Sequence, residues 1–386
     1  MTQCFRCFVT VLLIFIVSAS TVHAIHEFPV GRNATADKPQ SKAWYHDGAW
    51  WCVLFDGKKG SYFYRLVGDT WEKGTFSDAL VYPEVYTRAD VLSKGDTLFV
   101  LEWEESSPRF YKYDYSSEGK SYNLLPGFPV ELDVPEGHET MVIAQDSNGK
   151  LWIPFERKKK VRVIYSISKD HRIWNTEGVV IGDELDKDDI ASVIAFDKQI
   201  GVFWSNQKKE ALYFRIHRDG DPEDKWQKRE KVIKGQLVAD DHINLALSDD
   251  GRVFAVTKTS ADDAKEPITG PTKAQFILNV RSRKGKWESY DVAEVSPIFK
   301  SRPIVVLDEE KDDVYVFYLD DKAIVSKRSP MADIDFNGPP VRVLAKPGVS
   351  INNVTSTKQN ISSKTGLLIL ATGDDSKVYS RLIFSD

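Results

Sequence analysis

The chain of 386 residues is 42% hydrophobic and 12% aromatic, enough for one large core or two ordinary ones, which excludes a disordered or fibrous protein. Its formal net charge is −5 with 28% charged residues. Nothing in that balance points to nucleic acid, so the expected partner is a glycan, an extracellular protein or a small molecule.

The N-terminal stretch MTQCFRCFVTVLLIFIVSASTVHA carries Arg6, an apolar run from Phe8 to Val17, and small residues at Val22 and Ala24. This is the pattern of a signal peptide over 1–24, with the mature chain over 25–386. The run of about ten apolar residues is short of the roughly 20 needed to span a bilayer, so no membrane span is expected after cleavage. The predicted location is periplasmic or extracellular. Cys4 and Cys7 leave with the leader, and Cys52, set in AWWCVLF, is expected to be a buried, inert thiol without a disulfide. Asn33, Asn353 and Asn360 lie in glycosylation sequons.

Beyond the leader an internal repeat dominates. An aromatic residue follows a polar turn at Trp71, Tyr122, Trp174, Trp226, Trp287 and Phe336, with spacings of 51, 52, 52, 61 and 49. A second marker, a tight turn leading into a hydrophobic run, appears as HDG-AWWCVLF, KGD-TLFVLEW, SNGK-LWIPF, FDKQ-IGVFW, DDGR-VFAV, EKDD-VYVFY and SKTG-LLILA. Alternating stretches such as SYFYRLV, RFYKYDY, VRVIYSI and ALYFRIH come next, with the period of two that marks a strand. Short segments such as GFPVELD, GVVIGDE and EKVIKG complete each unit as a fourth strand.

Four antiparallel strands repeated seven times predict an all-β, seven-bladed β-propeller in a single domain. The last unit has only three strands before LIFSD, and EFPVG (27–31) resembles a fourth strand, so the N-terminal strand is expected to close the ring. Two β-sandwiches, the main alternative, would show a break in composition near the middle, and none is visible.

In such a ring the loops between blades and the loops between second and third strands share one face, where binding residues usually gather. The starts of the first strands supply Arg88 and Asp90, His138 and Glu139, Asp188 and Asp189, Asp240, Asp241, His242 and Asn244, then Arg302, Asn352 and Asn353. Asp90, Asp188 and Asp189 read most simply as turn residues bonding nearby backbone. Blade five stands apart, because ADDAKEPITGPTK is the longest insertion in the repeat and begins directly after Lys258-Thr259-Ser260.

A histidine beside carboxylates, with Lys258 and Arg302 nearby, is a plausible acid/base set: His242 for proton transfer, Asp241 to orient it, and the cations to meet a negative charge. The remaining candidates, Asp240, Asn244, Arg88 and His138, are expected to touch ligand. The bland reading, a loop histidine satisfied by its neighbours and a solvated lysine, competes with it. A metal site would need a third ligand from His138 or Asp188, and no calcium loop, nucleophile elbow or phosphate-binding glycine loop is present, so no metal or cofactor is expected. Lys358, Gln359 and Asn360 in NVTSTKQNISSKTG should lie deeper or towards the opposite face. Trp50, Trp103, Trp152 and Trp204 read as core rather than sugar platforms.

On these repeats the chain resembles the bacterial neuraminidase-repeat, sialidase-like propellers over nearly its whole mature length. SKDHRIW (168–174) is the nearest approach to their Asp box, S-x-D-x-G-x-T-W, and lacks its glycine. More narrowly, DDHINLALSDDGRVFAVTKTS, SRPIVVLDEEKDDVYVF and TSTKQNISSKTGLLILA are similar to a propeller module of secreted bacterial proteins whose activity is not established. Sialidases bind a carboxylate with three arginines, and only Arg88 and Arg302 can be placed at the funnel, so sialidase activity is not implied. Polysaccharide lyases on seven-bladed propellers use His and Tyr for proton transfer and Arg or Lys against a uronate, which His242, Lys258 and Arg302 would suit.

The expected function is therefore that of a secreted, monomeric binding module for a glycan or protein, through the funnel near blades five to seven. Two alternatives remain open: a lyase, or after it a hydrolase, acting on acidic polysaccharides, and a structural platform in an envelope complex.

Overall fold

The computed structural model describes residues 24–36, 38–58, 60–74, 80–82, 88–102, 108–134 and 140–384. Residues 1–23 of the leader sequence therefore lie outside the described residues, as do His138, Glu139 and Trp103. Among the described residues the strands form seven antiparallel sheets arranged in chain order, with two short 3-10 turns at Gln207–Lys209 and Ala261–Asp263. None of their helices is long and apolar enough to cross a membrane.

Each hydrophobic run recognised in the sequence is the second strand of a blade. Ala49–Phe55 and Leu367–Gly373 are buried at every residue, because neighbouring blades cover both faces of the sheet there. The third strands, such as Arg109–Ser116 and Ala211–Arg218, mix buried and accessible positions nearer the rim. The apolar core is correspondingly divided into seven clusters, and each joins two adjacent blades. The ring is held by blade-to-blade contact, with no central core.

The repeating aromatic residue now has a physical role, since each one docks on the blade before its own. Tyr122 accepts a hydrogen bond from Trp44 Nε1 at 2.9 Å, and Trp174 packs on Phe110 with ring centroids 5.1 Å apart. Trp226 meets Trp152 edge-on at 6.1 Å, and Trp287 meets Phe214 at 5.3 Å. Trp71 does the same at the ring closure, where it packs on Phe28 at 5.7 Å and bonds Ser380 Oγ at 2.9 Å. The turn SKDHRIW is tied by Ser168 Oγ to Asp170 at 2.6 Å, and His171 takes the left-handed conformation (φ 68°) that glycine would adopt without strain. Trp50, Trp152 and Trp204 are 3%, 1% and 0% exposed, and so belong to the core. Cys52 is free and fully buried, and burial pushes its thiol well above the usual range.

Closure comes from the strand His26–Pro29, which pairs antiparallel with Lys377–Ile383 as the outermost strand of blade seven. Phe28 packs on Tyr64 of blade one at 5.1 Å, while Glu27 is held by Lys346 and Lys377, each at 2.6 Å. The first and last blades are thereby joined through both backbone and side chains.

Gly201 lies where no side chain can fit, because a Cβ there would stand 2.1 Å from Phe214 Cζ inside the interface of blades four and five. Gly201→Ala is expected to cost about 1–3 kcal/mol in chemical denaturation through overpacking. A variant as stable as the parent would show that the blade interface is looser than described.

Candidate functional site

His242 precedes the first strand of blade five, Ile243–Leu247, and is 6% exposed. Its Nδ1 lies 2.9 Å from Asp240 Oδ1 and 2.5 Å from Asp241 Oδ1, while Nε2 is 3.1 Å from the Ser301 hydroxyl of blade six. Nδ1 thus faces the carboxylates and Nε2 faces the Ser301 hydroxyl, which can donate or accept. Both carboxylates also have cations on their other oxygens. Lys258 Nζ donates to Asp240 Oδ2 at 2.8 Å and reaches Asp262 at 3.3 Å, and Lys38 pairs with Asp241 Oδ2.

The network is nearly closed to water, with Asp240 and Lys258 each 8% exposed and Ser301 2% exposed. Burial alone would raise the Asp241 carboxyl, but hydrogen bonding from His242 and the charges of His242 and Lys38 hold it far below the usual carboxylate range. Burial likewise works to lower Lys258, and the Asp240 carboxylate outweighs it and keeps the ammonium raised. Asp240, Asp241 and His242 could offer metal-ligating atoms within 4.8 Å of one another. Lys38 and Lys258 already balance their negative charge.

The remaining candidates are spread along the same rim. Arg302 takes a left-handed φ of 54° in the bulge after Ser301, with Nη1 3.5 Å from Ser301 Oγ and a buried Nε that has no hydrogen-bond partner among the described residues. Asn244 accepts a hydrogen bond from Val305 N at 3.0 Å. Arg88 gives its backbone carbonyl to Gln40 at 3.1 Å. Asp189, 0% exposed, accepts backbone N–H groups of Asp186 at 2.5 Å and Gln207 at 2.9 Å, and burial pushes its carboxyl up. Asn352 caps its neighbour Asn353 by accepting the backbone N–H at 2.7 Å.

On this face the axis is covered by the chain itself. Residues 38–42, entering blade one, touch four other blades: Pro39 O accepts from Asn244 Nδ2 at 3.4 Å, and Gln40 donates to Arg88 O and Met141 O. Ser41 donates its N–H to Asp90 Oδ1 at 2.9 Å and its hydroxyl to Ser356 O at 2.6 Å. A segment that reaches blades two, three, five and seven together must cross the axis.

The axial cavity of about 520 Å3 opens on the opposite face, that of the turns between first and second strands. Its floor includes Pro39, Gln40 and Ser41, its walls include Ile194, Leu245 and Val305, and its mouth carries Lys94, Asp249 and Asn360. Lys358 lies at this end, as its position implied, and reaches across to Asp90 Oδ2 at 2.5 Å and to Ile143 O at 2.9 Å. The cavity therefore draws its polar groups from the ends of first strands and their turns; of the funnel candidates among the described residues Asn244 lines it, and so do Lys358 and Asn360 of blade seven. The run of ordinary-looking turns concealed this: Lys94, Asp249 and Arg283 each sit in a hairpin that also has a purely structural explanation.

No family model and no curated protein matches the sequence. Solved structures do resemble the fold. Polysaccharide lyase Uly1 is similar with a TM-score of 0.51 and 10% identity over 91% of each chain. A Bacteroides uniformis protein, provisionally assigned as a 6-phosphogluconolactonase, gives 0.50 and 14% over 83% of this chain and 86% of its own. The SapL1 lectin in complex with alpha methyl fucoside gives 0.49 and 11% over 82% of this chain and 100% of its own. At such identities the likeness concerns the fold.

The folded Asp241 carboxyl is held below its unfolded value of about 3.9, so its contribution is complete above that pH and is lost progressively as the pH falls below it. Asp241→Asn is expected to lower stability at pH 7 by about 2 kcal/mol. The gap between variant and parent should narrow as unfolding is followed from pH 5 down to pH 2, and a constant gap would contradict the ion-pair assignment.

Proposed function

We propose that the protein is an exported glycan-binding β-propeller whose ligand occupies the axial cavity on the hairpin face, against walls contributed largely by blades five to seven. The carrying observation is the cavity itself: about 520 Å3, with aliphatic walls and a hydrogen-bonding mouth. That volume falls within the roughly 300–1,000 Å3 of small-ligand sites, and a sugar needs this pairing of an apolar surface for its C–H face with polar groups for its hydroxyls. Asn244 and Asn360, which both line the cavity, are the proposed polar contacts. The signal-peptide pattern in the first 24 residues supports export, which would bring such a module to extracellular glycans.

A second reading, cleavage of an acidic glycan with His242 as general acid or base, is favoured by one feature. The imidazole bridges two carboxylates and the Ser301 hydroxyl, the order of groups that tunes a histidine for proton transfer. In that reading Asp241 orients the ring, and Asp240, Lys258, Arg302, Arg88 and His138 serve the substrate. Binding is preferred because His242 and Ser301 are shielded and line neither the axial cavity nor the recess beside Arg302.

Ala195 lines the cavity wall, so Ala195→Phe fills the site from a position that is already half-buried. On a glycan array and in affinity electrophoresis, the parent and His242→Ala should be retained alike, and Ala195→Phe at least tenfold less, with its melting temperature measured alongside because Ala195 also packs on the interface of blades three and four. If the parent instead releases reducing ends or unsaturated uronate and His242→Ala does not, the enzymatic reading replaces this one.

A further inference from the structure

A second depression of about 140 Å3 lies on the hairpin face between blades four and five. It shares Asp197, Gly251 and Arg283 with the axial cavity, so the two are continuous. Its lining is strongly cationic. Arg218 ends the third strand of blade four, Ala211–Arg218, and Arg281 ends that of blade five, Ala274–Arg281. Arg283 and Lys284 follow in the turn towards Trp287–Glu294, and Asp197 is the single carboxylate in the lining.

These cations are not equivalent. Arg281 is already satisfied by Glu230, which its guanidinium grips with two hydrogen bonds of 2.8 and 2.7 Å. Arg218, Arg283 and Lys284 are exposed, and no ion pair or side-chain hydrogen bond engages them among the described residues. Three unpaired cations around one groove, in a chain whose formal net charge is −5, form a local field of opposite sign to the whole. The axial end repeats the theme. Lys94 stands at the mouth beside Lys358, whose ammonium is committed to Asp90, and burial together with the charge of Lys358 pushes Lys94 below the ordinary lysine range.

We infer that the ligand is an acidic polysaccharide, which runs outward from the axial cavity along the groove between blades four and five and presents its carboxylate or sulfate groups to Arg218, Arg283 and Lys284. The inference rests on the axial cavity being the glycan site proposed above. The arginines supply planar forks that suit carboxylate and sulfate oxygens, and Gln199 and Gln227 in the same lining offer amides to sugar hydroxyls. A polymer fits better than a single sugar, because the groove continues the cavity sideways instead of deepening it.

The test pairs charged and uncharged polymers: polygalacturonate against its methyl ester, and dextran sulfate against dextran, with single-stranded DNA as a further polyanion. Parent, Arg218→Ala/Arg283→Ala/Lys284→Ala and Ala195→Phe are titrated by calorimetry at two salt concentrations. The inference expects at least tenfold tighter binding of one charged polymer than of its neutral partner, and the triple variant should lose that preference and most of the salt dependence. Neutral and charged polymers bound alike, with Ala195→Phe abolishing both, would overturn the acidic assignment and leave the axial site standing. Binding of no polysaccharide would overturn both. Tighter binding of DNA than of either charged polysaccharide would overturn the glycan class, and an unaltered preference in the triple variant would overturn the groove.

Discussion

Closure of the ring is the constraint from which the rest of the molecule follows. A row of open sheets presents unpaired backbone at each end, and here the strand that covers the last one is His26–Pro29, from the other end of the sequence. Once His26–Pro29 pairs with Lys377–Ile383, each of the seven hydrophobic clusters has a blade on both sides, including the one that joins Leu368 and Leu370 to Trp50 and Cys52. Without that pairing, two blade faces rich in tryptophan and leucine would stand in water.

Closure also decides which end of the axis is open. The closing strand lies at the outer edge of blade seven, whereas the first strand of blade one, Ala43–His46, lies innermost, so the chain has to travel from rim to axis between them. Residues 38–42 make that crossing, and their polar groups are taken up by the mouths of blades two, three, five and seven. Lys38 reaches the Asp240–Asp241–His242 cluster as a consequence, and the cluster gains a counterion that lies far from it in sequence. Two lysine–carboxylate pairs tie separate blades or strands together, the buried Lys258 with Asp240 inside blade five and Lys358 of blade seven with the buried Asp90 of blade two. The plugged end is thus crossed by the chain and its hydrogen bonds, while the hairpin end keeps its cavity and the exposed cations Arg218, Arg283 and Lys284.

Much of this architecture was legible in the residues. Second strands such as AWWCVLF and LLILATG are buried throughout and mostly apolar because both faces are covered, and the tryptophan or tyrosine every 50 residues or so marks the docking of one blade on the one before it. EFPVG could be recognised as the missing fourth strand because its length and pattern match the others. Asp241 beside His242 was equally visible, since near neighbours in sequence are near neighbours in space.

The sequence by itself determined the class of fold, the number of blades and the way the ring closes, because these depend on local periodicity and on counting strands. Only the tertiary structure decided that Lys38 and Ser301 complete the histidine cluster, that the chain covers one mouth of the axis, and that Arg218 and Arg283 share a groove. Such contacts join residues tens to hundreds of positions apart, and their geometry is set by the closed ring rather than by any spacing along the chain. A hairpin lysine or arginine looks alike in sequence whether water surrounds it or it rims the one face of the axis left open.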